Sequence, residues 1–311
     1  MTPPQTGEER TGVTVDGRTL TVSNLHKPLY PGDGTTKAEV MQYYLAVAPV
    51  LLPQLADRPL TRIRWPNGTG ANSFFEKNLP AGAPDWVRRV TLPVPGSTKS
   101  RETITYPLIE NRAGLAWLAN LAALELHVPQ WRVDPDGVTL PPDRMVVDLD
   151  PGPGAGLTEC ARVALLVREL LAGVGVSVTV PVTSGSKGMQ VYAAMPGTEP
   201  AERVRDAARA LAESLAIGHP ELVVSKMTKA LRPGKVLLDW SQNTAAKTTI
   251  CPYSLRGKGR VPLVAAPRSW AEVEAAAGAG GGGPDSPLRQ LGPGDVLDRV
   301  AGQGDPMAGL G

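Results

Sequence analysis

The run Met-Val-Val-Asp-Leu-Asp-Pro-Gly at positions 145–152 allows few local structures. Its β-branched valines favour a buried strand, and the Pro-Gly pair cannot continue a ladder. Because side chains alternate across a strand, Asp148 and Asp150 share one face, while Val147 and Leu149 point to the other. Two like charges at that spacing repel each other, and a divalent cation between them would relieve the repulsion. The run predicts an oxygen-ligand site for Mg²⁺ or Mn²⁺, with solvated or capping aspartates at a turn as the alternative.

Composition narrows the classes of protein. The 311 residues can bury a large core, as one domain or as two lobes. A net charge of +2 gives no global attraction to nucleic acid, so any such binding requires a local basic patch. Two distant cysteines and three histidines argue against a disulfide framework, a thiolate zinc site or a histidine-rich metal centre. No apolar run is long enough for a membrane span, and the cysteines do not suggest disulfides, so we expect a soluble protein of a reducing compartment.

A helix start near residue 36 predicts an anion site. Thr36 and Glu39 have the spacing of a capping box, and a β-hairpin with an Asp-Gly turn is predicted earlier, at residues 12–22. Backbone N–H groups at a helix N-terminus attract anions, and Lys27 and Lys37 bracket the approach to this one. A phosphate site is one interpretation, and ordinary solvated lysines are the other.

The two phenylalanines of the chain, Phe74 and Phe75, are adjacent. On a strand they face opposite ways, so at most one of them is buried in the usual manner. The strand predicted before them carries Arg64, and Lys77 follows them. Exposed aromatics beside basic residues are typical of a base-stacking platform, although a packed Phe pair is the commoner arrangement.

A broadly apolar segment and a polar turn come next. The leucine spacing at residues 111–126 predicts one helix that ends beside His127, which on such an element is usually a hydrogen-bonded core histidine. Strands are predicted at residues 178–184 and 189–192, joined by Ser-Gly-Ser-Lys-Gly. In that turn, backbone amides, hydroxyls and Lys187 can approach a phosphate, although the spacing is not that of a Walker loop.

A basic segment encloses a second apolar strand that ends at a carboxylate. Between residues 226 and 260 the one acid is Asp239. The basic residues are Lys226, Lys229, Arg232, Lys235, Lys247, Arg256, Lys258 and Arg260. A lone aspartate in this setting is a natural third metal ligand, and three carboxylates with two metals about 3.5–4 Å apart form the clamp of nucleotidyl transfer. The side chains that would neutralise phosphate charge are Ser184, Lys187, Arg232 and Arg256.

Three motifs, taken in order, resemble the active-site motifs of the archaeo-eukaryotic primase superfamily. They are Asp-Leu-Asp at 148–150, Ser-Gly-Ser-Lys-Gly at 184–188 and Leu-Asp-Trp-Ser-Gln-Asn at 238–243. Three more are similar to the polymerase domain of bacterial ligase D and its stand-alone relatives: Phe-Phe-Glu-Lys at 74–77, Leu-Glu-Leu-His-Val-Pro-Gln-Trp at 124–131 and Pro-Tyr-Ser-Leu-Arg-Gly at 252–257. The similarity extends from about residue 13 to the Gly-Asp-Pro-Met segment at 304–307, nearly the whole chain.

The resemblance implies four groups of site residues. The metal ligands, for two Mn²⁺ or Mg²⁺ ions, would be Asp148, Asp150 and Asp239. The residues lining the incoming nucleotide would be His127, Ser184, Lys187, Arg232, Gln242 and Arg256. The pocket for a DNA 5′-phosphate would be Asn24, Lys27 and Lys37. The template contacts would be Phe74, Phe75, Arg64 and Lys77.

The resemblance also implies an α+β fold with two lobes. An N-terminal α/β module would carry the phosphate and template contacts, and an antiparallel, RRM-like sheet would present the three aspartates. We expect residues 1–10 to be disordered and residues 11–308 to form a single polymerase domain of two intertwined subdomains. An Ala/Gly-rich stretch at 277–284 departs from the family and is expected to be a flexible loop.

The function implied by the resemblance is template-directed nucleotidyl transfer. The enzyme would add NTPs or dNTPs to a 3′ end at gapped or broken DNA carrying a 5′-phosphate, in non-homologous end joining. Bacterial Ku and a DNA ligase are implied partners, no membrane is implied, and the expected location is cytoplasmic, at the nucleoid. The alternatives are a stand-alone gap-filling polymerase of excision repair and a non-catalytic DNA-end-binding module.

Two other classes with paired aspartates fit the sequence less well. A DxD glycosyltransferase would also place Asp148 and Asp150 on Mn²⁺. It would not explain Asp239 inside a basic segment, or the adjacent phenylalanines. A haloacid-dehalogenase phosphatase fits less well still, because Pro151 and Gly152 replace the residues expected after its first motif.

Overall fold

The computed structural model describes residues 9–94, 102–278 and 288–310. Its helices are α1 (Lys37–Leu55), α2 (Arg112–Asn120), α3 (Leu157–Gly173), α4 (Ala201–Gly218), α5 (Trp270–Gly278) and α6 (Pro293–Gln303). The predicted capping box is present at the start of α1, where Thr36 and Glu39 exchange side-chain to backbone hydrogen bonds. Within these described ranges, no helix has the length and apolar character needed to cross a bilayer.

Short strands account for most of the remaining regular structure. They are β1 (Arg10–Val15), β2 (Arg18–Ser23), β3 (Thr61–Arg64), β4 (Phe74–Glu76), β5 (Arg89–Pro93), β6 (Thr103–Pro107), β7 (Ala123–Val128), β8 (Arg144–Pro151), β9 (Thr179–Thr183), β10 (Met189–Ala194), β11 (Val223–Val224), β12 (Val236–Asp239), β13 (Thr249–Ile250), β14 (Leu255–Arg256), β15 (Leu263–Val264) and β16 (Ala266–Pro267). The predicted hairpin is confirmed, because β1 and β2 pair around Asp16 and Gly17, which both have positive φ.

Two larger sheets organise the strands. The central sheet has six strands in the order β11-β12-β8-β10-β9-β16. Its pairs are antiparallel, as expected, except for β11 and β12, which are parallel. A second, antiparallel sheet has the order β13-β7-β3-β4. The mixed helix and sheet content is the α+β class that the sequence predicted.

The central sheet separates two hydrophobic cores. Met145, Val147 and Leu149 of β8 pack into a core that includes buried residues of α3 and α4. Val146 lies in the other core, with α1 and α2. Because side chains alternate, the even-numbered residues of β8, Asp148 among them, share the face of Val146. The aspartates therefore face the N-terminal part of the molecule.

The helix predicted at residues 111–126 is wrong in its second half. Helix α2 ends at Asn120, Ala122 has a φ of 55°, and the chain then enters β7. The apolar run is buried nearly all round, so helical periodicity could not mark the end of the helix. His127 thus lies on a strand rather than at a helix end.

The predicted segment boundaries differ from the structure at both chain ends. Arg10, which the prediction placed in the disordered N-terminus, belongs to β1. Residues 1–8 lie outside the described residues. Ala277 and Gly278, which the prediction placed in a flexible loop, are the last residues of α5. Residues 279–284, the rest of the predicted flexible loop, also lie outside the described residues.

Candidate active site

The three aspartates lie on two paired strands. β8 carries Asp148 and Asp150, and Asp239 ends β12. The register places Asp239 directly opposite Asp148. Side chains that are directly opposite in an antiparallel pair project to the same face, with Cβ atoms about 4.5–5.5 Å apart. The fold therefore brings the three carboxylates to one face at one end of this strand pair.

The electrostatics of this cluster are unfavourable without a cation. Burial raises the pKa of Asp148 well above its usual value, and the charges of Asp150 and Asp239 raise it further. Burial followed by the charge of Asp239 also raises the pKa of Asp150. Arg232 and Arg256 oppose the shift of Asp150, which places their positive charges near the cluster. Like charges held together in a buried site favour the binding of a cation.

Neighbouring side chains hold two of the carboxylates by hydrogen bonds. Gln190 Nε2 donates to Asp148 Oδ1 at 3.1 Å. The backbone N–H of Ser241 donates to Asp239 Oδ1 at 3.0 Å, and Gln242 Nε2 donates to Asp239 Oδ2 at 2.7 Å. As they are positioned, no three Asp, Glu, His or Cys side chains of the described residues converge closely enough to hold a metal ion.

The donor chemistry nevertheless fits Mg²⁺ or Mn²⁺. Asp148, Asp150 and Asp239 supply only carboxylate oxygens, which are the ligands that these hard cations prefer. A carboxylate has about four lone-pair sites, so the hydrogen bonds from Gln190 and Gln242 leave others available. The mutual repulsion that raises two of the pKa values would be relieved by the same ions.

Glycines allow two predicted nucleotide-binding arginines to approach this strand end. A Cβ atom on Gly152 would lie 2.0 Å from the carbonyl oxygen of Arg232. A Cβ atom on Gly185 would lie 2.7 Å from Cγ of Arg256. Arg232 is held in turn by a hydrogen bond from Nη2 to the carbonyl oxygen of Met227, at 2.6 Å. A side chain at position 152 would clash with a backbone atom, and the φ of 68° at Gly185 favours glycine, so both positions depend on glycine.

The Ser-Gly-Ser-Lys-Gly turn is packed against β8. Its ends are joined by a hydrogen bond from the Ser184 N–H to the Gly188 carbonyl, at 3.0 Å. The side chain of Gln290 also bonds to this turn. Its Oε1 accepts from the Gly185 N–H at 2.7 Å, and its Nε2 donates to the Gly188 carbonyl at 3.0 Å. Lys187 is exposed at the tip. The predicted small-residue turn therefore lies beside the aspartates with one lysine free to extend outward.

His127 and Arg256 meet at one buried carboxylate. Glu125 is completely buried, and its Oε2 lies 2.8 Å from Nε2 of His127 and 3.2 Å from Nη1 of Arg256. Its Oε1 accepts from the Gly257 N–H at 3.0 Å. His127 and Arg256, which were predicted to contact the nucleotide, are therefore joined through Glu125, which was not predicted as a site residue.

The three residues predicted to bind a 5′-phosphate are linked through their backbones. The Lys27 N–H donates to the Asn24 carbonyl, and the Lys37 N–H donates to the Lys27 carbonyl. Lys27 Nζ bonds to Asn67 Oδ1 at 2.9 Å. Lys37 is buried, and its Nζ donates to carbonyl oxygens at the ends of β2 and α2, at 2.7 and 3.0 Å. The three residues therefore lie together, but the Lys37 ammonium group is buried and already bonded to two backbone carbonyls.

Of the predicted template contacts, Phe74 and Phe75 lie on the edge strand β4, Arg64 ends the neighbouring strand β3, and Lys77 follows β4. Phe74 and Phe75 are 52% and 59% exposed. Arg64 is paired with Glu76 at 2.8 Å. Lys77 is partly buried, which lowers its pKa, and its Nζ donates to the backbone carbonyl of Ala246 at 3.2 Å. The phenylalanines thus form an exposed aromatic surface, as predicted, beside positive side chains.

Three side chains at the site were missed from the sequence. They are Glu125, Gln190 and Gln290. The Leu-Glu-Leu-His-Val run at residues 124–128 alternates with a period of two, and that pattern was a signal for a strand with Glu125 and His127 on one face. For Gln190 and Gln290 the sequence contains no such signal, because their partners are 42 and 102–105 residues away.

The sequence matches the family described as "LigD, primase-polymerase domain" over residues 36–307. It is 47% identical, over 289 residues, to the multifunctional non-homologous end joining protein LigD of Mycolicibacterium smegmatis. It is 34% identical, over 256 residues, to the bifunctional non-homologous end joining protein LigD of Bacillus subtilis. These matches cover 93% and 82% of this chain but 36% and 39% of the two relatives. The chain therefore spans well under half the length of the curated relatives.

A solved structure shares the fold. The polymerase domain of Mycobacterium tuberculosis ligase D, in complex with DNA, superposes with a TM-score of 0.85 and is 46% identical to this chain. The match covers 94% of this chain and 97% of that one.

Proposed function

Because this chain belongs to the family of LigD primase-polymerase domains, we propose that it is a template-directed nucleotidyltransferase acting at short gaps and double-strand breaks in DNA. The observation that carries the proposal is the placement of Asp148, Asp150 and Asp239 on one face of two paired strands, with the charges of Arg232 and Arg256 beside them. A DNA-bound relative of the same fold supports DNA as the substrate.

Each charged group has a role in transferring a nucleotide. The three aspartates would hold two Mn²⁺ or Mg²⁺ ions, which when bound lower the pKa of a 3′-hydroxyl and neutralise the triphosphate. The 3′-oxygen bonds to the α-phosphorus and gives its proton to water, while the bond from the α-phosphorus to the oxygen that bridges to the β-phosphate breaks and pyrophosphate leaves. Arg232 and Arg256 stabilise the negative charge that shifts to the departing phosphates. The turn at residues 184–188 adds the Ser184 and Ser186 hydroxyls and Lys187 at the same place.

Substrate positioning would use the N-terminal part of the molecule. Asn24, Lys27 and Lys37 form the proposed pocket for a 5′-phosphate. Because the Lys37 ammonium already bonds to two carbonyls, Lys27 would make the more direct contact and Lys37 would contribute its charge. Unpaired template bases would stack on the exposed rings of Phe74 and Phe75.

The names of the relatives favour one repair pathway. Several are called non-homologous end joining proteins, so we assign this polymerase to end joining rather than to excision repair. The proposed partners are a bacterial Ku, a DNA ligase and NTPs or dNTPs, and the proposed location is at the nucleoid. A non-catalytic end-binding module would have no need for three carboxylates held together against their repulsion.

Primer extension with an aspartate variant tests the proposal. Wild-type protein with Mn²⁺ should extend a primer on gapped DNA. The rate of extension should be lower by about 100-fold or more in Asp150→Ala, because this variant lacks one proposed metal ligand. Asp206→Ala, on the exposed face of α4, removes the same group elsewhere and should retain full activity. If Asp150→Ala extends as fast as Asp206→Ala, the aspartate cluster is not catalytic.

A further inference from the structure

The geometry points to Glu125 as a positioning residue that fixes the orientation of His127 and Arg256 for the incoming nucleotide. The effect on nucleotide binding rests on the proposed function, whereas the orientation of His127 can be measured independently of activity. Glu125 itself is completely buried, so it contacts the two nucleotide-facing side chains rather than the substrate.

The Glu125 carboxylate accepts hydrogen bonds from donors in two distant parts of the chain. His127 lies two residues away on β7, at 2.8 Å. Arg256 Nη1 and the Gly257 N–H come from β14 and the residue after it, more than 130 residues away in sequence, at 3.2 and 3.0 Å. One oxygen serves both side chains and the other serves the backbone. A single buried carboxylate therefore joins the side chains of His127 and Arg256 and the backbone of Gly257.

The backbone at these positions has other supports. Arg256 pairs with Leu263 in the β14–β15 hairpin, and its carbonyl accepts from the Tyr30 hydroxyl at 2.9 Å. His127 pairs with Thr61 and with Ile250. The bonds from Glu125 Oε2 therefore act on the side chains of His127 and Arg256 and are not required to hold their strands. Loss of these bonds should therefore change the orientation of the two side chains more than the stability of the fold.

The carboxylate also selects one form of the imidazole. An ionised carboxylate only accepts hydrogen bonds, so the nitrogen that faces it, Nε2, must carry the proton. Burial, and then Arg256 and Lys258, lower the pKa of His127, while Glu125 opposes that shift, so the ring is neutral near pH 7. A neutral ring protonated on Nε2 has an unprotonated Nδ1. His127 is therefore held as a hydrogen-bond acceptor for a donor group on the nucleotide, with Arg256 beside it as a donor.

Nitrogen-15 NMR of the histidine side chains tests the orientation directly. The chain has three histidines, and His26 and His219 serve as internal references. In the wild type, His127 should be the neutral Nε2–H tautomer at pH 7. In Glu125→Gln, His127 should become a mixture of tautomers with a still lower pKa, with His26 and His219 unchanged. A wild-type His127 protonated on Nδ1, or an identical His127 spectrum in both proteins, would overturn the inference.

Nucleotide kinetics test the consequence for the site. Glu125→Gln should raise the KM for the nucleotide about 10-fold or more, since a charge-assisted hydrogen bond is lost from each side chain, with a smaller change in kcat. Glu274→Gln, an exposed glutamate paired with Arg168, makes the same chemical change elsewhere and should leave both constants unaltered. An unchanged KM in Glu125→Gln would overturn the inference. If the wild type incorporates no nucleotide, the proposed function fails while the NMR result still decides the role of Glu125 in orienting His127.

Discussion

At the scale of single residues, Asp239, the proposed third metal ligand, also caps a helix, which the sequence did not indicate. It is the N-cap of a short 3₁₀ helix at Trp240–Asn243, because its carboxylate accepts from the Ser241 N–H. It also lies directly opposite Asp148 and raises the pKa of both other aspartates. A capping role and a ligand role are compatible, because a carboxylate has more lone pairs than the cap uses. The cap fixes the backbone from which the third carboxylate projects.

Phe75 offers a test of the template surface. Phe75→Ala should weaken binding of gapped DNA by about 10-fold, because base–aromatic stacking is worth about 1–3 kcal/mol per base. The side chain is more than half exposed, so the melting temperature should change little. Fluorescence anisotropy and thermal denaturation measure the two effects. Ile217→Ala, which truncates an even more exposed apolar side chain on α4, is the control for affinity. Equal affinities for the two variants would remove Phe75 from the DNA surface.

Single residues also show where sequence reasoning reaches its limit. Alternation along β8 was sufficient to place Asp148 and Asp150 on one face. The environment of Lys37 was not predictable, because the carbonyls that its ammonium contacts belong to β2 and to the end of α2. The sequence indicated a charge near a helix start, and only the fold shows that this charge is buried. Local periodicity predicts faces, whereas partners distant in sequence require the tertiary structure.

At the scale of secondary-structure elements, β7 shows how burial conceals a boundary. The leucines that suggested one helix divide between α2 and β7. The capping box of α1, the hairpin of β1 and β2, and the strands β8, β9, β10 and β12 were predicted correctly because each has caps, turn residues or alternation within a few positions. The order of the strands in the sheets had no comparable local signal and was not predicted.

The turn between β9 and β10 depends on a glycine. A Cβ atom on Gly188 would lie 2.1 Å from the carbonyl oxygen of Leu149, a backbone atom of β8. Gly188→Ala should therefore destabilise the protein by about 1–3 kcal/mol and displace the turn from the aspartates, with reduced nucleotide affinity. Gly173→Ala, where the added atom meets open space at the end of α3, should cause no such loss. Chemical denaturation of both variants measures the difference, and equal stability would contradict the packing described for this turn.

An ion cluster joins the C-terminal elements and predicts acid sensitivity. Burial alone would raise the pKa of Glu272, but hydrogen bonds from Arg268, the Ser269 N–H and Arg299 lower it from 4.5 to about 2. A depressed native pKa stabilises the fold above the unfolded value, and that stabilisation is lost as the pH falls from about 4.5 towards 2. Glu272→Gln should show less loss of unfolding free energy over this range than the wild type. Identical pH profiles would contradict the assignment.

At the scale of the whole molecule, the aspartates lie on the boundary between two cores. One face of the central sheet packs on α3 and α4, and the other, which carries the aspartates, packs in the core that contains α1 and α2. Helix α6 returns the chain to contact α1, so the C-terminal elements pack against the N-terminal ones. The proposed nucleotide and template contacts lie on neighbouring strands, because β3 pairs both with β7, which carries His127, and with β4, which carries Phe74 and Phe75.

The most direct test of gap-filling synthesis uses wild-type protein and one DNA design. A primer faces a short gap, the templating base is varied through all four bases, and the downstream strand carries a 5′-phosphate or a 5′-hydroxyl. With Mn²⁺ and NTPs or dNTPs, we predict addition of the nucleotide complementary to each template base, faster with the 5′-phosphate. Addition that ignores the template base, or no addition on any of the four templates, would contradict the assignment of a template-directed polymerase.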